Sequence, residues 1–210
     1  MRKGIGIFCI LLGVACLLAS AGFAIYNRHE AQSGAQDSRI LLQVVRDKME
    51  ETALIEAGQS DLITEELSPA APQKTEPREM ATVPAGDYAS IGILAIPVLE
   101  VELPVLTDWS YEKLKKAPCH YYGSCYESDF VIAAHNYASH FGRLTQLQTG
   151  DLVLFTDVAG QTHYYEVVLL ETLPPTATEE MITSGFALSL YTCTPGGSNR
   201  VTVRCNTANN

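Results

Sequence analysis

The chain has 210 residues, with 24 acidic side chains against 14 basic ones and a formal net charge of −10. A nucleic-acid partner calls for clustered Lys and Arg, and no basic stripe appears, so that class is set aside together with tight electrostatic adhesion of the outer part to an anionic membrane. The length suits one domain with appendages.

Residues 1–28 form the first segment. Its run GIGIFCILLGVACLLASAGFAIY, residues 4–26, has no charged side chain and would span about 34 Å as a helix, enough to cross the hydrocarbon core of a bilayer. Arg2 and Lys3 precede the run and Arg28 follows it, which modestly favours a cytoplasmic N-terminus with the bulk of the chain outside. Two readings stand, a retained single-pass anchor and a signal peptide cleaved near LLASAGFA. The length of the apolar run favours the anchor. Cys16 in LGVAC is preceded by Gly13 where a lipoprotein acceptor wants a large aliphatic residue, so Cys9 and Cys16 read as membrane-buried cysteines.

Residues 29–67 suit a helical stalk. Ile40, Leu41, Val44, Val45, Met49 and Ala53 fall at the 3, 4 spacing of one apolar stripe. Such a stalk is a spacer, a packing partner for the domain, or a cover over its groove, and the pattern leaves these open. Residues 68–87 read as an extended linker, with four prolines in SPAAPQKTEPREMATVP.

Residues 88–208 hold enough chain for one self-sufficient core, and the pattern is mostly strand. SIGILAI stops at Pro97, EVELPVL alternates, DFVIAAH is a short buried-type run, and DLVLFTD and THYYEVVLLE flank the turn VAGQ as a hairpin. FALSLYT and RVTVRC complete the set, and only residues 109–116 and 178–182 look helical. Seven or eight strands in so short a domain predict a closed barrel or a sandwich.

Cys119, Cys125, Cys193 and Cys205 lie in this domain. Cys119 and Cys125, in CHYYGSC, either close a small disulfide ring or stay as thiols. A zinc site from Cys119, His120, Cys125, His135 and His140 has weak support, because zinc-finger spacings are missing. The third use of a cysteine is nucleophilic, and it requires a base and a cation nearby. Cys193 ends one expected strand, His135 ends another 58 positions earlier, and Arg200 opens a third after the loop TPGGSN. Three strand ends can converge on one barrel rim.

AHN, then YTC, then NR resembles the sortases, cysteine transpeptidases of mainly Gram-positive cell surfaces. The likeness spans residues 88–205. IGILAIPVLEVELPVL is similar to the family's first hairpin, YYGSCYESDFVIAAHN to the approach to its catalytic histidine, and LSLYTCTPGGSNRVTVRC to its cysteine strand and following arginine. Ser189 stands where Thr is usual and Ala134 where Gly often precedes the histidine. The resemblance implies a mainly β fold, a closed seven- to eight-stranded sortase-like barrel behind the anchor and stalk. It implies Cys193 as nucleophile, His135 as general acid and base, and Arg200 as oxyanion stabiliser, with Asn136, Thr192, Ala133 and Arg204 beside the substrate.

The implied substrates are secreted proteins bearing a C-terminal Leu-Pro-x-Thr-Gly-like sorting motif, and the acceptor is an amine of a peptidoglycan precursor or a pilin lysine. Neither a metal nor an organic cofactor is called for. CTPGG followed by NR looks like the loop of pilus-building enzymes. An Asp-Pro-aromatic lid is missing from residues 68–87 and the chain ends at Asn210 without a second span, so anchoring of surface proteins is the expectation over pilus polymerisation. Residues 171–186, with Pro174 and Pro175 and the acidic pair Glu179 and Glu180, are expected to wall the substrate groove. The rivals are a catalytically idle peptide-binding adaptor on the same barrel, a papain-like hydrolase, which would place Cys before His, and a thiol redox protein, which would want Cys-x-x-Cys.

Overall fold

The computed structural model describes residues 2–60 and 79–208. Residues 61–67, assigned above to the stalk, and 68–78, assigned to the linker, lie outside the described residues.

The apolar segment and the stalk form one continuous helix, α1 (Arg2–Ser60), of 59 residues, about 88 Å long at 1.5 Å per residue. Among the described residues it is the one helix long and apolar enough to cross a membrane. Its second half lies along the β domain. Gly34, Ser38, Leu41 and Val45 are buried at 4, 3, 4 spacing, and Leu41 and Val45 meet Val83, Ala85, Ile93, Leu106 and Cys119. Ion pairs Glu30 to Lys115 (3.3 Å), Asp37 to Lys116 (2.7 Å) and Arg46 to Glu102 flank this seam. The expected stripe is thus displaced: Leu41 and Val45 are in it, whereas Ile40 is 52% exposed and Ala53 points to solvent. The contact is set by small residues that carry no apolar signal. A Cβ on Gly34 would stand 2.7 Å from the Lys115 carbonyl oxygen and 2.8 Å from the Tyr137 ring, so glycine is what lets the helix close in.

Among the described residues nine strands follow: β1 (Val83–Ala85), β2 (Tyr88–Ile96), β3 (Val101–Leu106), β4 (Cys119–Tyr122), β5 (Phe130–Ala133), β6 (Leu152–Asp157), β7 (Thr162–Leu173), β8 (Leu188–Cys193) and β9 (Arg200–Thr207). Their order is β1-β2-β3-β4-β5-β8-β9-β7-β6, and a further β2–β6 pairing closes eight of them into a barrel, with β1 added on β2. Closure runs from Gly92 opposite Asp157 to Ala95 opposite Leu154. At Gly92 (φ +149°) a Cβ would come within 2.1 Å of the Thr156 carbonyl oxygen, so this residue admits β6. The interior is filled by Leu94, Phe130, Ile132, Phe155, Leu188, Leu190 and Val203, all fully buried; each such side chain contributes about 1.5–3 kcal/mol.

The closed barrel with eight strands agrees with the expected architecture. Two strands were not foreseen. β1 falls in the segment expected to be an extended linker. CHYY, absent from the runs read as strands, forms β4, antiparallel to β5 and joined to β3 by the single bridge Leu106–Cys119. Four residues without clean alternation of burial carry too little pattern to announce a strand. The first expected helix shrinks to α2 (Tyr111–Leu114), started by Ser110, whose hydroxyl accepts the Lys113 amide. The second is α3 (Thr178–Ile182), at its expected position.

Candidate active site

Cys193, the last residue of β8, and Arg200, the first of β9, are direct partners in the antiparallel ladder. β5 runs parallel to β8 with Ala133 opposite Tyr191. The pairing continues past the strand: the Ala134 amide donates to Tyr191 O (3.1 Å), and Thr192 Oγ1 donates to Ala134 O (2.8 Å). His135 follows Ala134 directly, just past the end of β5 and outside its strand pairing, at the same end of the sheet as Cys193. The structure thus pairs two of the strand ends singled out in the sequence, Cys193 and Arg200, and places His135 beyond the end of the neighbouring β5.

The loop between Cys193 and Arg200 is pinned from within. Thr194 N donates to Asn199 O (2.9 Å) and Gly197 N to Thr194 O (2.8 Å), with Gly196 and Gly197 at φ +85° and +76°. Arg200 Nη1 donates to Gly197 O and Asn199 O, both at 3.2 Å. The guanidinium is thereby held over its own loop, and Arg200 as a residue is half-buried.

A groove of about 220 Å³ opens at this rim. Ala133, Thr192, Cys193 and Arg200 line it, and Pro174, Pro175, Ala177, Thr178 and Met181 of the β7–β8 connection form one wall. The expectation for residues 171–186 holds for the prolines; Glu179 and Glu180 face solvent instead. The opposite wall is aromatic: Trp109, Tyr111, Tyr121 and Tyr191, linked by ring contacts of 5.8 Å (Trp109–Tyr111), 5.7 Å (Trp109–Tyr121) and 5.3 Å (Tyr121–Tyr191). Sequence reasoning missed these four. Their signal was the density of aromatics in DWSY and HYY, and the 70 positions from Tyr121 to Tyr191 hid their meeting. No described α1 residue lines the groove.

His135 sits at the edge of the groove, half-buried, not among its lining residues. Its Nδ1 is 3.0 Å from Asn136 Oδ1, and an amide oxygen only accepts, so Nδ1 carries the hydrogen and Nε2 is the basic nitrogen. The ring stacks on Tyr137 at 4.1 Å and 11°. Burial holds the imidazole below its ordinary range; Asn136 and the Glu30 carboxylate of α1 oppose that, and Lys115 adds to it. The stalk thus reaches the surroundings of His135 electrostatically, and Gly34 packs on the same Tyr137 ring.

Two residues expected beside the substrate have other tasks. Asn136 contacts His135 and lies outside the groove lining. Arg204 is a correction: it is 2% exposed, and its guanidinium is committed to Glu171 Oε1 (2.7 Å), Ser189 Oγ (2.8 Å), Glu180 O (2.7 Å) and Met181 O (3.4 Å). It ties β9 to β7, β8 and α3 inside the wall, because an enclosed cation must have its donors filled. Thr192 does line the groove, but its hydroxyl is spent on Ala134 O.

The remaining cysteines and histidines do not gather here. Cys119 is buried, its thiol pushed up to about 12 by burial, and no disulfide joins it to Cys125. His120 lies between Thr107 O (3.0 Å) and Gly123 O (2.8 Å), and His140 is 1% exposed beneath Tyr137.

The family model described as Sortase domain matches residues 94–208, more than half of the chain. The chain belongs to the sortase family. Sortase C1 from Streptococcus suis is 31% identical, with a TM-score of 0.52 over 58% of this chain and 74% of that one. Group B Streptococcus pilus island 1 sortase C2 is 28% identical (TM-score 0.52; 57% and 74% covered). A Clostridium perfringens sortase D5 transpeptidase, at 20% identity (TM-score 0.51; 57% and 79% covered), shares the fold. No curated protein matches the chain. Membership places it among cysteine transpeptidases built on a β-barrel. The two departures noted in the sequence sit in structural bonds: Ser189 accepts from Arg204 and the Ala134 carbonyl accepts from Thr192.

Proposed function

We propose that this sortase is a membrane-anchored transpeptidase that cleaves a Leu-Pro-x-Thr-Gly-like sorting motif of secreted proteins and joins the acyl half to an amine of a peptidoglycan precursor. The observation that carries the reading is the pairing of Cys193 with Arg200 at the mouth of the groove, with His135 just past the end of the neighbouring β5. In this reading residues 1–28 are the anchor, with the N-terminus cytoplasmic and residues 88–208 outside as the catalytic domain.

Cys193 gives its proton to His135 Nε2, and the thiolate attacks the scissile carbonyl of a motif bound in the groove. Charge develops on the carbonyl oxygen. With Nη1 held on the loop, the remaining donors of Arg200 are offered to that oxyanion, and guanidinium stays charged at any working pH. His135 then protonates the departing amine, leaving a thioester on Cys193. The acceptor amine attacks the thioester, loses a proton to His135, and the thiolate leaves. The motif's apolar side chains suit a groove with proline on one wall and aromatic rings on the other. Asn136, Thr192 and the Tyr137 stack hold His135 in position.

The likeness to a pilus island sortase C favours a second acceptor, a pilin lysine. The test is mass spectrometry of the full chain in detergent with motif peptides and two amines, triglycine and a lysine-containing pilin-like peptide, beside Cys193→Ala. Cleaved peptide joined to triglycine by the wild type alone supports the wall reading, and joining to the lysine peptide alone supports the pilus reading. Binding without cleavage of any motif peptide supports the idle adaptor.

A further inference from the structure

The end of the barrel away from Cys193 has its own hollow, about 650 Å³, where β9 ends and β7 begins. Cys125 and His163 line it, with Asn206 and Thr207 across from them. Three ligand-type side chains gather there: the Cys125 sulfur, an Asp157 carboxylate oxygen and a His163 ring nitrogen all lie within 4.8 Å of one another. None of these residues belongs to the groove at Cys193.

The three come from rigid supports. Asp157 ends β6 and His163 lies at the start of β7, opposite Phe155. Asp157 Oδ1 accepts the amides of Ala159 (3.0 Å) and Gln161 (2.9 Å), which locks the turn between them. Oδ2 accepts from Tyr126 Oη (2.9 Å) and stands 3.4 Å from His163 Nε2. Cys125 arrives from the β4–β5 connection and is 7% exposed, while Asp157 is 2% exposed.

We propose that Cys125, Asp157 and His163 bind a zinc ion, with a water from the hollow as fourth ligand. The donor set decides the metal, since one thiolate, one imidazole and one carboxylate suit zinc, whereas calcium and magnesium want oxygen alone. Geometry supports it. Tetrahedral zinc with bonds of about 2.0–2.1 Å holds its nitrogen and oxygen ligands about 3.3 Å apart, close to the 3.4 Å found. A charge-assisted hydrogen bond between the same groups would be about 2.7–2.9 Å. The sulfur would sit about 3.5 Å from each partner on such an ion, a modest closure from within 4.8 Å. Binding releases the thiol proton of Cys125. The ion would clip the β6–β7 hairpin to the β4–β5 connection, a structural task separate from transpeptidation.

The test uses the full chain in detergent with Cys193→Ala, which removes the competing, half-buried thiol of the groove. After treatment with a chelator and reloading with zinc chloride, metal analysis should find one zinc per chain, and cobalt(II) in its place should show a thiolate-to-cobalt charge-transfer band. Adding Cys125→Ser or His163→Gln should lower bound zinc from one per chain to none and abolish the zinc-dependent rise in melting temperature. Two results overturn the site: no cobalt band in the Cys193→Ala chain, which needs no further variant to fold, or zinc retained undiminished in both ligand variants.

Discussion

Arg200 at the rim and Arg204 in the wall share one face of β9, four positions apart, yet their surroundings treat them in opposite ways. Arg200 is half-buried and rests on two carbonyls of its own hairpin loop. Those bonds are local and cheap to exchange for an oxyanion. Arg204 is enclosed and bonded across three elements, and none of its bonds can be released without leaving a buried charge unpaired. The rim is built to exchange partners and the wall is built to keep them, so activity and stability should separate along a single strand.

The largest effect expected at the rim comes from Cys193→Ala. Transpeptidation should fall by at least about 10³-fold, since no other group forms the thioester, while the melting temperature stays near that of the wild type. Peptide turnover at undiminished rate would remove Cys193 from the chemistry.

The arginine pair gives the sharpest contrast. Arg204→Ala should cost about 3–5 kcal/mol of stability through the abandoned Glu171 and the emptied wall. Arg200→Ala should leave denaturant midpoints almost unchanged and lower kcat/KM by about 10²–10³. Equal stability losses in the two variants would break the comparison.

Below the rim, His140 is buried against Tyr137 and its imidazole is pushed down to about 4 by burial. Its folded value lies below the ordinary 6.5, so the unfolded chain takes up the proton first as pH falls. Stability is then full above about pH 6.5 and declines towards pH 4, by at most about 3 kcal/mol. Thermal melts across that window should show the decline, and His140→Leu should flatten it.

The smallest effect concerns Asn136. Its hydrogen bond raises the His135 value against burial. Asn136→Ala should therefore move the acid limb of the kcat/KM profile to lower pH, with a change in kcat larger than that in KM. An unmoved limb with the same loss of rate would assign Asn136 to the loop's structure alone.

Much of the rim was legible from residue order alone. Cys193, His135 and Arg200 end or begin runs whose apolar patterns announce strands, and strand ends collect at the mouths of a closed barrel. Arg204 was misjudged for a reason that pattern cannot reach: period-2 alternation shows a shared face, whereas burial depends on what lies over that face. Here it is Glu171 of β7 together with α3, the latter brought in by a connection of 14 residues between β7 and β8. The aromatic wall was hidden because Trp109 and Tyr191 are far apart in the chain. The seam of α1 was displaced because Gly34 and Ser38 are small and score as nothing in an apolar count.

What the sequence by itself determined was local and periodic: an apolar run long enough to span a bilayer, alternating strands, turns at Gly-rich loops and the residue types a cysteine transpeptidase needs. These follow from backbone geometry and side-chain chemistry within a few residues of each other. The tertiary structure alone decided which arginine is exposed, which rings face the groove, how the stalk lies against the loop of His135, and that Cys125, Asp157 and His163 meet at the far mouth. All of these depend on chain closure, because contacts between distant segments are selected by how the whole barrel packs and by no single segment.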